Sequence, residues 1–318
     1  SLPEVWEYLS KFCKFTSYRH KVLITHSGRV YSMPINLATI NTFYGKNLTP
    51  AKAQDFLAAE IARDYIADPA NLEEKAISLI GRPLYEAFIR NYTRKQWDRN
   101  PRELPVAIIN RLPFRTCYNM DYFSDTWQGV PKEGYFNLFE NMLTHPKITV
   151  RLNCDYEVIK NEIPSDATVI YTGMPDELFD YKYGKLEWRS LRFEWEILDI
   201  RDFQGTTVMN YADLDVPYTR IHEFKHYHPE RKGPFNLGKT VICREYPATY
   251  HKGDEAYYPV NDECNNTLYA QYAEEAAKIP RLILGGRLGA YRYLDMDKAV
   301  ADALHIFGTR IRPMGVEL

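Results

Sequence analysis

Hydrophobic positions recur at helical spacing near both ends of the chain and alternate at strand spacing in the middle. Val5, Leu9 and Phe12, with Trp6 beside them, predict an opening helix. Two alternating runs, 21–25 and 29–33, flank His26-Ser27-Gly28 and predict a hairpin with glycine in its turn. A helical block follows over about 41–112. Thr49 before Pro50 supplies an N-cap and a proline at the first helical position. Phe56, Leu57, Ile61 and Tyr65 form the stripe behind it. Asn71 and Glu74 make a capping-box start for a helix over 72–80, which Gly81 stops. Leu84, Phe88 and Tyr92 mark a further helix.

The period then changes. A short helix is predicted over 134–143, and strands over 148–152, 168–173, 192–197, 206–210, 218–228 and 240–244. The chain returns to helix, strand and helix over 267–279, 282–284 and 297–311. No repeat or low-complexity tract interrupts it. The pattern predicts α/β or α+β architecture in several layers, with domains built from discontinuous segments.

Composition narrows the function classes. The 318 residues carry a net charge of −2, so no basic field favours nucleic acid. No apolar run approaches the length of a membrane span. The five cysteines are scattered and form no CxxC pair, which fits a reducing cytoplasm better than a disulfide framework.

Among short motifs, His222-Glu223-Phe224-Lys225-His226 matches HExxH. Metal chemistry there needs a helix that places both histidines on one face. Pro217 and Pro229 bracket the segment, and its residues alternate at strand period. Strand residues four apart are separated by roughly 13 Å, so the expectation is a strand without metal. The nucleophile motif GxSxG does not occur. The most informative stretch is 285–296, where paired glycines, Arg287, Arg292, Tyr291, Tyr293 and Asp295 lie between an apolar strand and an amphipathic helix. Glycine allows close backbone approach, and a helix N-terminus favours an anion. Asn91-Tyr92-Thr93-Arg94-Lys95-Gln96-Trp97, Arg111, Arg115 and Pro217-Tyr218-Thr219-Arg220 add arginines for phosphate contact and tyrosines for donation or stacking.

Taken together, Asn71 to Gly81, Tyr92-Thr93-x-Lys95-Gln96-Trp97, Tyr122-Phe123-Ser124-Asp125, Asp202-Phe203-Gln204-Gly205, Val216 to Arg220 and Gly285 to Met296 resemble UDP-galactopyranose mutases, the actinobacterial branch above all. The resemblance runs in order along essentially the whole chain. One departure stands out. The family opens with a strand–GxGxxG–helix unit that seats the FAD pyrophosphate, and this sequence carries no such fingerprint. A chain without that unit is expected to be impaired in FAD binding.

The resemblance implies an α/β fold with α+β insertions. It implies an incomplete Rossmann-like FAD domain (1–16, 128–176 and 251–318), a helical substrate domain with a mobile lid (41–112) and an antiparallel β-sheet domain (17–40, 113–127 and 177–250). The implied activity interconverts UDP-galactopyranose and UDP-galactofuranose through an adduct on N5 of reduced flavin with ring contraction, for galactofuranose-containing cell-surface glycans. The alternative is a non-catalytic UDP-sugar-binding fragment. The implied diphosphate clamp is Arg111 and Arg220, with Tyr122, Tyr258 and Tyr293 around diphosphate and sugar. Phe88 and Tyr92 match uridine-binding aromatics; Thr93, Trp97 and Phe123 complete the implied substrate set. Gly286, Arg287, Tyr293, Asp295, Met296 and Arg189 match flavin-lining positions. Tyr293 and Asp295 join the two arginines as implied catalytic positions. No metal ligand, nucleic-acid partner or membrane insertion is implied; a homodimer is.

Overall fold

Nine strands run through the computed structural model, which describes residues 2–111 and 113–315, the side chains of 110 and 111 set aside. They are β1 (Val22–His26), β2 (Arg29–Met33), β3 (Val169–Tyr171), β4 (Trp188–Leu198), β5 (Val208–Tyr211), β6 (Arg220–Glu223), β7 (Thr240–Thr249), β8 (Tyr258–Pro259) and β9 (Leu282–Leu284). The chain forms two compact units, residues 1–16, 131–188 and 256–318 in one and residues 17–130 and 189–255 in the other. The helical block and the large sheet share the second unit.

In that unit the strands lie in the order β2-β1-β5-β6-β7-β4. All neighbours are antiparallel except β1 and β5. The β1–β2 hairpin closes through Ser27 and Gly28, both at positive φ (50° and 73°), as a two-residue turn of right-handed twist requires. Val22, Ile24 and Val208 are buried on one face of this sheet, and Ile221 and Ile242 on the other.

The helical caps form as their residues dictate. Thr49 Oγ1 accepts from Lys52 N at the start of Pro50–Ala62. Asn71 Oδ1 accepts from Glu74 N, and Glu74 Oε2 accepts from Ala70 N one residue before the cap, so Glu74 ties the helix start through both backbone and side chain. Gly81, at φ 79°, ends Leu72–Ile80. The next rod is not a plain α-helix: Tyr85–Arg90 is a π-helical turn, which runs into the α-helix Asn91–Trp97. Such turns concentrate at functional sites. Leu57, Leu72, Ala76, Ile77, Leu84 and Tyr85 make the core beneath it. Each such leucine or isoleucine contributes about 1.5–3 kcal/mol of burial.

The other unit holds the parallel β3–β9 pair, the helices Pro3–Leu9, Tyr135–Leu143 and Glu263–Ala277, and the helix Met296–Ile306. Asp262 caps Glu263–Ala277 through Asn265 N. Two expected strands differ. Residues 148–152 form no strand: no described strand pairs with them, and Ile148, Val150 and Leu152 remain exposed. The strand expected over 218–228 stops at Glu223, and Phe224–Tyr227 turns as a 3-10 helix. Glu223 causes the stop. Its fully buried carboxylate accepts from Phe203 N, Gln204 N and Thr240 Oγ1, anchoring the chain where it bends.

Candidate functional site

The rod Tyr85–Trp97 and strands β6 and β7 assemble one cluster of the sequence-derived residues. Antiparallel pairing sets Arg220 of β6 opposite Glu245 of β7, so both side chains leave the same face. Arg220 Nε lies 3.2 Å from Glu245 Oε1, and its Nη2 donates to Tyr92 Oη at 2.6 Å. His222 Nε2 lies 3.2 Å from the other Glu245 oxygen. Burial pushes the Glu245 carboxyl up, but the Arg220 charge and the His222 contact outweigh it and hold it below the usual carboxylate range. Burial pushes Tyr92 up to about 12, so its hydroxyl stays a neutral donor. The Arg220 side chain keeps a quarter of its surface exposed, enough to meet a ligand while Glu245 lies against its Nε.

Aromatic residues surround this pair. His20 packs against Tyr122 (5.5 Å) and Phe123 (6.0 Å), and lies parallel to Tyr227 at 6.2 Å. Its Nδ1 is 2.9 Å from Tyr18 Oη. Burial, with the charges of Arg220 and His222, pushes His20 down to about 4 and keeps it neutral near pH 7. Phe88 is buried between Tyr31, Phe43 and His26, and Thr93 and Trp97 are also buried. Arg189 donates to the Gln96 carbonyl and to Thr249 Oγ1. Arg111 closes the 3-10 segment Val106–Arg111, and its side chain lies outside the described residues.

The HExxH residues diverge. His222 turns to Glu245, whereas His226 Nε2 faces Asp202 at 3.3 Å and Glu223 at 3.4 Å. The two histidines therefore share no helical face. Asp202, Glu223 and His226 converge, but Glu223 is already saturated by the backbone donors and Thr240.

In the other unit the glycine-rich segment connects β9 to the helix Met296–Ile306. The carboxyl ends of β3 and β9 lie side by side, the position where open α/β sheets bind ligands. A Cβ on Gly289 would stand 2.6 Å from the Tyr171 carbonyl oxygen, so only glycine permits this approach. Gly286 sits at φ 71° against Thr172. Arg287 donates to the carbonyls of Leu294 and Tyr257 and stacks on the Tyr293 ring at 4.5 Å. Tyr293 in turn stacks on Tyr258 at 5.6 Å. Buried Tyr291, at φ 45°, sends its hydroxyl to the carbonyls of Glu187 and Val260. Exposed Asp295 and Met296 begin the helix, with no side-chain cap on its first turn. The N–H groups and positive dipole end there favour an anionic group.

No sequence motif points to His20 or Glu245, and His222 stands out only through the HExxH match. Only strand register reveals Glu245, because it faces Arg220 across β6 and β7.

The fold matches a crystal structure of reduced UDP-galactopyranose mutase with a TM-score of 0.60, covering 96% of this chain and 81% of that one at 14% identity. An Escherichia coli dTDP-fucopyranose mutase is 36% identical, over 95% of this chain and 80% of its own length. A Klebsiella pneumoniae protein named "Probable UDP-galactopyranose mutase" is 38% identical, over 94% of this chain and 76% of its own. The profile of UDP-galactopyranose mutases matches residues 87–293. The chain is thus an isomerase of mixed α/β fold. It belongs to the UDP-galactopyranose mutase family. Among the described residues no helix is long and apolar enough to cross a membrane.

Proposed function

We propose that this chain interconverts UDP-galactopyranose and UDP-galactofuranose, and that the cluster around Arg220 holds the UDP diphosphate. The Arg220–Tyr92 contact, braced by Glu245, is the observation that carries the reading. The reaction leaves composition and oxidation state unchanged. The bond between the anomeric carbon and the β-phosphate oxygen breaks, the ring oxygen changes between O5 and O4, and the bond re-forms. Negative charge therefore builds on the diphosphate and is later withdrawn. A guanidinium fixed in advance stabilises that charge without reorganising. Arg111 is proposed as the second cation. Tyr92 is a neutral donor at the same place, Tyr122 and Phe123 border it, and Phe88, Thr93 and Trp97 support its wall from beneath.

Gly286, Arg287, Tyr293, Asp295 and Met296 would line a flavin, with Arg287 acting through the loop it ties together; Arg189 is proposed separately as a flavin contact. Tyr258 and Tyr293, stacked on each other, are proposed as substrate contacts of this unit. When bound, the reduced flavin supplies an electron pair for the anomeric carbon. The proposed partner in solution is a second copy of the chain.

One preparation tests the activity, the expected weak FAD binding and the alternative of a non-catalytic UDP-sugar-binding chain. UDP-galactofuranose is incubated with the chain, FAD and dithionite while flavin absorbance is recorded. Formation of UDP-galactopyranose supports the mutase. Saturable UDP binding without flavin retention or conversion supports the binding-only reading. Full flavin retention with robust turnover refutes weak FAD binding.

A further inference from the structure

Lys95 stands three residues beyond Tyr92 on the helix Asn91–Trp97, and its ammonium sits in a cage of backbone oxygens. Nζ lies 2.7 Å from the Tyr211 carbonyl, 2.9 Å from Asp213, 3.0 Å from Val216 and 3.0 Å from Tyr218. An ammonium offers three donors and accepts nothing, so these oxygens saturate it. All four belong to the end of β5 and the connection that leads into β6, whose first residue is Arg220. The Asp213 carboxylate is engaged elsewhere, by His26 Nδ1 at 2.6 Å and Ser27 N at 2.7 Å. Burial pushes the Lys95 ammonium down to about 8, against the pull of Asp213 and Asp215, and leaves it charged near pH 7.

Four carbonyl dipoles aimed at one point repel each other without a cation between them. The 211–218 connection therefore depends on Lys95 for its shape. Two ties now join the same two elements. Tyr92 and Lys95 share one face of the helix at i and i+3, and Tyr218 and Arg220 lie two residues apart on the facing chain.

We infer that Lys95 is a positioning residue for the diphosphate clamp: its ammonium organises the 211–218 carbonyls and thereby fixes the register in which Tyr92 meets Arg220. The inference rests on reading Arg220 as a diphosphate contact. Lys95 itself touches no substrate.

The test is calorimetric titration of the full chain with UDP. If the unsubstituted chain does not bind UDP, the functional reading fails before any variant is made. If it binds, Lys95→Met should weaken UDP by at least about tenfold. Tyr92→Phe should then cost less in the Lys95→Met background than alone, because the register it reports is already lost. Lys95→Ala leaves room for an added amine. Propylammonium should restore its UDP affinity, and the neutral isostere propan-1-ol should not. Unchanged affinity in Lys95→Met, additive effects with Tyr92→Phe, or equal rescue by the alcohol would each overturn the inference. So would a Lys95→Ala chain that stays unfolded whatever the amine concentration, since Lys95 would then serve the fold alone.

Discussion

The Arg220 guanidinium donates to the Tyr92 hydroxyl at 2.6 Å across 128 residues of chain. The helix supplies the neutral donor, and the strand supplies the cation. Buried Glu245 lies against the guanidinium at Nε. This division of labour sets an order of sensitivity. Tyr92→Phe removes one hydrogen bond and should weaken UDP binding by about 0.5–1.5 kcal/mol. Arg220→Lys should cost more, because a point charge cannot span Glu245 and a diphosphate together. Calorimetric titration with UDP checks both, and wild-type affinity in Arg220→Lys would remove Arg220 from the clamp.

His20 gives the fold a proton linkage with a definite sign. Its pKa is about 4 in the folded chain against an ordinary 6.5. Between those values the unfolded chain binds the extra proton, so stability rises with pH from 4 to 6.5 and falls on acidification. The full span is at most about 3 kcal/mol. Urea unfolding at pH 7 and pH 4.5 should show the loss, and His20→Gln should flatten it. An unchanged slope in that variant would place the linkage on another group.

Gly289→Ala pits two effects against each other. Alanine in a helical turn gains about 0.5–1 kcal/mol over glycine. Its Cβ, however, would stand 2.6 Å from the Tyr171 carbonyl oxygen. Overpacking of that kind costs about 1–3 kcal/mol, so a net loss in thermal midpoint is expected. A higher midpoint would mean that β3 and the turn after β9 have room to separate.

Local signals made much of the fold legible. Thr49, Asn71 and Gly81 act within a few residues of themselves, and each caps or stops a helix as its chemistry requires. The His26–Arg29 turn is similarly local. The strand expected at 148–152 was not legible, because alternation states that a segment could pair and not what it pairs with. The end of β6 was equally hidden, since it depends on Glu223 meeting Phe203, Gln204 and Thr240. The site divides the same way. Arg220 and Tyr92 could be named from motifs, whereas Glu245 and Lys95 act through strand register and carbonyl direction, which no spacing along the chain displays.

The most direct measurement of the central claim is the conversion of UDP-galactofuranose to UDP-galactopyranose, resolved by chromatography, with FAD and dithionite present and the flavin spectrum recorded. Product should form with the unsubstituted chain, and Arg220→Ala should lower its rate by about a hundredfold or more. Untransformed UDP-galactofuranose in the presence of bound reduced flavin, or an Arg220→Ala chain that turns over at the original rate, would contradict it.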